Sequence, residues 1–297
     1  MTTVAVIGAD GQLGTDMLPA LESNPDYSIV PLTLDDMDVR DAGATRSTLL
    51  MNSPDIVINT AAYHAVDACE EHAEEAFLIN AAAVHNLARI CREMDAVLVH
   101  FSTDFVFDGA ATRRVPFTES DTPNPRSVYA ASKLAGEWAV RNVWHKHFTV
   151  RTCGLYGLAS IAGRNASRSF VELMLRLAGA GDPIRVVNDQ RLAPTTTRDL
   201  AAKLVELMAT ECYGLYHITN TGSCTWFEFA QELFQLSGLA PNLTPITTQE
   251  WSAPAARPAY SVLDCQALRQ AGLKPLRSWQ KALAAYLETR AASMGSM

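Results

Sequence analysis

Thr3-Val4-Ala5-Val6-Ile7-Gly8-Ala9-Asp10-Gly11-Gln12-Leu13-Gly14 begins two residues into the chain. Its first five residues are an apolar, partly β-branched run, the pattern of a parallel strand buried on both faces. Glycines stand at 8, 11 and 14, and residues 12–21 read as a helix. A strand, a tight glycine turn and a helix in that order place free backbone N–H groups and the positive end of the helix dipole beside the turn. A pyrophosphate fits such a place, and glycine lets the backbone come close to it. The spacing Gly-x-x-Gly-x-x-Gly differs from the Gly-x-Gly-x-x-Gly dinucleotide fingerprint. The turn alone therefore leaves open a glycine turn in an unrelated α/β protein.

Working outward, strand-like and helix-like stretches alternate. Strands are expected at 27–32, 55–59, 97–101, 148–152 and 214–220, with helices at 42–51, 74–94, from Tyr129 onward, 170–178 and 199–209. That alternation predicts a doubly wound parallel sheet of the Rossmann type. With 297 residues, 48% of them hydrophobic, the chain can also build a smaller second lobe. Asp35, Asp36, Asp38 and Asp41 follow the second strand. A carboxylate there bonds adenosine ribose hydroxyls and repels a 2′-phosphate. No Arg or Lys lies between Gly14 and Val39, which leans toward NADH, while Arg40 keeps NADPH open.

Composition narrows the partners. The formal net charge is −8 and no basic block occurs, so neither nucleic acid nor an anionic membrane is expected. The six cysteines are scattered without a Cys-x-x-Cys, which reads as thiols in a reducing, cytoplasmic setting. The first strand leaves no room for a leader, and no apolar run of about 18 residues follows. His145-Lys146-His147 has no third ligand nearby and reads as a solvated helix end, so no metal is expected. Residues 293–297 read as a flexible tail. Trp226 and its aromatic neighbours read as packing.

Two further stretches carry chemistry. Tyr129-Ala130-Ala131-Ser132-Lys133 sets a phenol and an ammonium one helical turn apart on one face. The cation is expected to lower the phenol from its usual pKa of about 10, so that it can exchange a proton with a substrate oxygen. Ser102-Thr103-Asp104 follows the fourth strand, at the carboxyl end where open α/β sheets bind ligands.

The glycine turn, Ser102-Thr103-Asp104 and the Tyr129/Lys133 pair together resemble the extended branch of the short-chain dehydrogenase/reductase superfamily. Longer strings narrow the resemblance: Asn59-Thr60-Ala61-Ala62-Tyr63 with Val66-Asp67 and Glu70; Thr103-Asp104-Phe105-Val106-Phe107-Asp108-Gly109; Arg151-Thr152 with Tyr156-Gly157; Asn188-Asp189-Gln190 with Pro194-Thr195; and Arg257-Pro258 with Ser261 and Leu263-Asp264. These look like the dTDP-4-dehydrorhamnose reductase family, over nearly the whole chain.

The resemblance implies reduction of a nucleotide-sugar 4-ketone by NADH or NADPH. Thr103 would orient the ketone, Tyr129 would supply the proton, and Lys133 would hold the nicotinamide ribose. Cofactor contacts would come from Gly8, Asp10, Gly11, Gln12, Leu13, Gly14, Asp38, Val39, Ala61, Ala62, Tyr63, Tyr129 and Lys133. Substrate contacts would come from Val66, Thr103, Asp104, Phe105, Tyr129 and Arg257. Arg257 could bind a diphosphate or merely tie down the C-terminal segment. Asn80 could be the superfamily's asparagine or an ordinary polar residue. A dinucleotide lobe of residues 1–154, rejoined by 187–221, and a substrate lobe of 155–186 and 222–297 are expected. The resemblance leaves room for a homodimer.

The sequence departs from the family in two places. Gly154 stands where many members have a tryptophan that stacks on the sugar, and Phe105 where a tyrosine is common. Two alternatives stay open: a sugar-nucleotide epimerase or dehydratase, and a non-catalytic relative similar to the regulatory β subunit of methionine adenosyltransferase.

Overall fold

The computed structural model describes residues 1–160 and 169–294. In chain order the strands are β1 (Thr2–Ile7), β2 (Tyr27–Leu32), β3 (Ile56–Asn59), β4 (Val97–Thr103), β5 (His147–Thr152), β6 (Leu155–Tyr156), β7 (Ile184–Val187), β8 (Arg191–Leu192), β9 (Thr195–Thr196), β10 (Gly214–His217), β11 (Cys224–Thr225) and β12 (Leu243–Ile246). The helices are α1 (Gln12–Glu22), α2 (Ala42–Asn52), α3 (Val66–Glu71), α4 (Ala73–Phe77), α5 (Ala83–Met94), α6 (Val128–Val143), α7 (Phe170–Ala180), α8 (Thr197–Met208), α9 (Trp226–Leu236), α10 (Thr248–Trp251), α11 (Gln266–Gln270) and α12 (Trp279–Met294).

Six strands make the central sheet, in the order β10-β5-β4-β3-β1-β2. Every neighbouring pair is parallel. Successive residues of β1 point to opposite faces. Val4 and Val6 join a core with Leu13 and Met17 of α1 and Leu200 and Leu204 of α8. Ala5 and Ile7 join a second core with Leu49 of α2, Val84 and Leu87 of α5 and Val140 of α6. Burial on both faces is why the strand reads as an unbroken apolar run. Pro31 is tolerated in β2 because β2 is an edge strand.

The chain leaves β1 for β2 on one side, and β3 lies on the other side of β1. The carboxyl ends of β1 and β3 therefore part at a switch point, where α/β sheets open a crevice for ligands. The fold is Rossmann-type α/β, with a 2-1-3-4-5 order plus a sixth strand.

A second group of elements packs beyond this sheet. β7 and β12 pair in parallel. Tyr156, Met174 of α7, Phe229 and Leu233 of α9, and Trp279 and Leu283 of α12 share its core. Trp226 packs on Phe170, with ring centroids 4.6 Å apart.

Three local expectations change. The helix expected over 74–94 is interrupted by a π-helical segment, Leu78–Ala82, between α4 and α5. His147 opens β5 rather than ending a helix, and its buried ring bonds the Trp144 carbonyl through Nδ1 at 2.6 Å. α12 runs on through Met294, so only residues 295–297 of the expected tail fall outside the described residues. Residues 161–168 of the expected substrate lobe also fall outside them.

Candidate active site

The glycine turn and the loop after β3 are built against each other. Gly8 has φ +75°, and a Cβ there would stand 2.8 Å from Thr60 Oγ1 and 3.2 Å from the Ala61 nitrogen. The Thr60 hydroxyl donates to the Ile7 carbonyl at 2.7 Å. At Gly14 a Cβ would lie 2.2 Å from the Gly8 carbonyl oxygen, so this glycine lets α1 lie on the turn. Gly11 is the N-cap of α1 and offers no side-chain cap. The amides of the first helical turn are thus left for another acceptor.

Those elements line one side of a cavity of about 430 Å³, through Gly8, Gly11, Gln12, Leu13, Thr60, Ala61, Ala62 and His64. The side-chain amide nitrogen of Gln12 is buried and has no hydrogen-bond partner among the described residues. An orphaned donor beside an uncapped helix N-terminus fits an anionic ligand such as a pyrophosphate.

The other side of the cavity is formed by Phe101 to Asp104 at the end of β4, Tyr129 and Lys133 on α6, and Thr152 to Leu155 at the end of β5 and beyond it. Ser127 caps α6 by accepting the Ala130 N–H at 3.2 Å, which fixes where the helix begins and where Tyr129 stands. The Tyr129 phenol and the Thr103 hydroxyl both line this side of the cavity. Burial raises this phenol above its ordinary 10.0, the Asp104 carboxylate adds to the rise, and the Thr103 hydroxyl opposes it. The expected depression by Lys133 does not occur: the phenol is raised instead and stays protonated at neutral pH. Burial pulls the Lys133 amine down to about 8, against the lifting effect of the Glu137 carboxylate.

Asp104 is buried beneath this pair. Its Oδ1 accepts from the Thr103 hydroxyl at 3.2 Å and its Oδ2 from Cys153 Sγ at 2.9 Å. Burial pushes its carboxyl up to about 6, although the bonds from Cys153, Ser261 and Thr103 pull the other way.

The π-helical segment carries Asn80, which is fully buried. Its Oδ1 accepts the Tyr63 N–H at 2.9 Å, and its Nδ2 donates to the Tyr63 carbonyl at 2.9 Å and to Ser132 Oγ at 3.0 Å. Asn80 thus fastens the loop after β3 to the middle of α6. The helices can meet there because residue 136 is glycine: a Cβ would stand 2.2 Å from the Asn80 carbonyl oxygen.

Gly8, Gly11, Gln12, Leu13, Ala61, Ala62, Thr103, Asp104, Tyr129 and Lys133 meet at this one cavity. Other expected contacts lie elsewhere. Asp10 is exposed and Gly14 is packed under the turn. Val39 is buried in the second core. Asp38 is bound by Arg40, whose Nε reaches Oδ2 at 2.9 Å and whose NH2 reaches it at 2.6 Å. Tyr63 is held through its backbone by Asn80, and Val66 begins α3. The Phe105 ring stands edge-on to that of Tyr129, with centroids 6.2 Å apart. The Arg257 fork is taken up by Asp67, NH1 to Oδ1 at 2.9 Å and NH2 to Oδ2 at 2.8 Å, and its guanidinium lies 4.4 Å over the Trp251 ring.

Sequence reasoning missed Thr60, His64, Thr152, Cys153 and Leu155 as cavity residues. The last three lie at or just after the carboxyl end of β5, and that position was the signal available. Gly154 has φ +51°, and a side chain there would point at Leu192, Pro194 and Trp226, with nearest atoms 3.1–3.4 Å from its Cβ. Those residues hold the space beside it. Among the described residues no group of three or more His, Cys, Asp or Glu is placed to hold a metal ion. No described helix is long and apolar enough to cross a membrane.

Comparison with known proteins places the chain in a family. Residues 1–292 match the family model described as RmlD substrate binding domain. The chain is 40% identical over 285 residues to a dTDP-4-dehydrorhamnose reductase of Streptomyces griseus, covering 94% of this chain and 90% of that one. It is 38% identical over 293 residues to the spore coat polysaccharide biosynthesis protein SpsK of Bacillus subtilis, covering 99% of each. Among solved structures, a dTDP-4-dehydrorhamnose reductase from Bacillus anthracis, in complex with NADP, superposes with TM-score 0.91 at 37% identity, covering 97% of this chain and 100% of that one.

Proposed function

The chain belongs to the RmlD substrate binding domain family, and on that premise we propose that it reduces the 4-keto group of a nucleotide-activated deoxysugar with NADH or NADPH. The specific reaction we assign is dTDP-4-dehydro-L-rhamnose to dTDP-L-rhamnose. One observation carries this reading. Thr103, Tyr129 and Lys133 line the same cavity as the glycine turn and the loop after β3.

The dinucleotide, when bound, supplies the hydride to the sugar carbonyl carbon. The turn amides and Gln12 would take its pyrophosphate, and Ala61 and Ala62 would lie along its linker. Asp38 would serve the adenosine end and Lys133 the nicotinamide ribose. Thr103 would hold the ketone oxygen beside Tyr129. Hydride arrival leaves negative charge on that oxygen, and an acid must quench it. The raised phenol of Tyr129 suits this direction of reaction, because it carries its proton at neutral pH and releases it only to a stronger base.

The sugar would sit between the reacting pair and the loops after β5, near Phe105 and Val66. Arg257 is better read as a strut than as a diphosphate ligand, since Asp67 occupies both arms of its fork. Purified protein incubated with NADPH or NADH and dTDP-4-dehydro-L-rhamnose, with the product identified by NMR, tests the reading. Dinucleotide binding without reduction of any dTDP-4-keto sugar would sink it.

A further inference from the structure

Behind the reacting end of the cavity lies a buried ion pair that the chemistry above does not use. Glu137 stands one turn beyond Lys133 and two beyond Tyr129 on α6, so the three side chains share a face. Its carboxylate accepts from Arg151 on β5, Nε to Oε1 at 2.9 Å and NH2 to Oε2 at 2.7 Å. It also accepts from the Ser102 hydroxyl on β4. Arg151 NH1 lies 3.4 Å from His217 Nε2 on β10. The side chains of Arg151 and Glu137 are only 3% and 8% exposed. Taking two ions out of water costs several kcal/mol each, and well-packed apolar residues often serve stability as well or better.

The pair sits where three site-bearing elements meet. Ser102 precedes Thr103, Arg151 precedes the cavity residue Thr152, and Glu137 follows Lys133. We propose that Glu137 is a positioning residue for the reaction: locked by Arg151 and Ser102, its carboxylate holds α6 against the ends of β4 and β5 and sustains the positive charge of Lys133 at the dinucleotide ribose. This rests on the reductase reading of the cavity.

The charged and titratable groups around Lys133 leave this task to Glu137. On β4, His100 is fully buried, and neither ring nitrogen has a partner among the described residues. Burial and the Lys133 charge hold His100 well below 6.5, so it is neutral. Burial lowers His147 on β5 in the same way, and burial with the Arg151 charge lowers His217 on β10 to about 3. The Arg151 cation is spent on Glu137 itself. Asp104, just after β4, acts on the other member of the pair, adding to the rise of Tyr129. Glu137 is the group whose charge lifts Lys133.

The test follows the affinity of the full chain for NADH and NADPH across pH, by nicotinamide fluorescence, with turnover alongside where a keto sugar is reduced. Wild-type affinity should fall as pH rises through the Lys133 value of about 8. In Glu137→Gln that fall should move to lower pH by roughly half a unit or more, because an anion that favoured the ammonium is gone. Glu137→Asp, which keeps the charge, should restore the wild-type position. A purely structural role would lower the melting temperature of Glu137→Gln and leave the pH dependence where it was, which overturns the inference. Should Glu137→Gln fail to fold, the double variant Glu137→Leu with Arg151→Met leaves no lone buried ion. It must also show a downward move, smaller than that of Glu137→Gln because no unpaired Arg151 charge remains. A wild type that binds neither dinucleotide refutes the reductase reading instead. Binding in wild type with an unmoved profile in the variants refutes only the role of Glu137.

Discussion

Asn80 satisfies both backbone polar groups of Tyr63, accepting its N–H and donating to its carbonyl, each at 2.9 Å. A third bond to Ser132 carries the link to the helix that bears Tyr129 and Lys133. Asn80 is fully buried and sits in the π-helical segment, an irregularity often found at functional sites. Asn80→Ala should therefore strand the Tyr63 N–H, take one donor each from the Tyr63 carbonyl and the Ser132 hydroxyl, and cost about 2–4 kcal/mol in denaturant unfolding. Turnover should fall beyond what the unfolded fraction explains, because the loop after β3 loses its anchor. A loss under about 0.5 kcal/mol would show that the three bonds are dispensable.

Asp67 and Arg257 lie 190 residues apart and are joined through both arms of the guanidinium fork. If the pair is a strut, Asp67→Ala and Arg257→Ala should destabilise alike, and the double variant should cost less than their sum by about 1 kcal/mol. The Michaelis constant for the sugar nucleotide should rise equally in both single variants. A rise confined to Arg257→Ala would make Arg257 the diphosphate ligand.

Asp104 supplies a pH test of the cavity floor. Its carboxyl is raised from 3.8 to about 6 by burial, so the folded state binds its proton more tightly than the unfolded state. Such a group weakens the fold as pH climbs from about 4 to 6, and the loss is complete above that window. Asp104→Asn removes the ionisation and turns one of its two acceptor oxygens into a donor, a change that does not vary with pH. Its stability relative to wild type should therefore improve between pH 4 and pH 7, by up to about 3 kcal/mol. A difference that stays flat with pH would mean Asp104 ionises as readily folded as unfolded.

The Arg40 guanidinium is bound by Asp38, which is itself held below its usual value by that bond, and also touches Glu75 at 3.3 Å. Asp38→Asn should leave Arg40 held by Glu75 alone and remove the carboxylate that repels a 2′-phosphate. The ratio of NADPH to NADH affinity should then rise by about threefold to tenfold, on the order of 1 kcal/mol. An unchanged ratio would place adenosine recognition away from this loop.

The parts legible in the sequence were those written locally. A glycine turn between strand and helix and a Tyr/Lys pair one turn apart each need only a few consecutive residues. What stayed hidden depends on distant partners or on geometry that leaves no pattern. Residues 74–94 carry an ordinary amphipathic period, and nothing in it marks the π-helical turn that aims Asn80. Glu137 is visible four residues after Lys133, but its pairing with Arg151 arises only when β5 lies beside β4. The fate of Arg257 was undecidable without Asp67. The phenol was expected to be lowered because its lysine neighbour could be read from spacing, whereas the burial that raises it could not.

The central claim is that Tyr129 gives the proton in reduction of a nucleotide-sugar ketone. Its most direct test compares turnover of wild type and Tyr129→Phe with NADPH and dTDP-4-dehydro-L-rhamnose, alongside dinucleotide affinity. Wild type should form dTDP-L-rhamnose, and Tyr129→Phe should bind dinucleotide normally while turning over about a hundredfold more slowly or worse. Product formed at the wild-type rate by Tyr129→Phe, or no product from wild type, would contradict it.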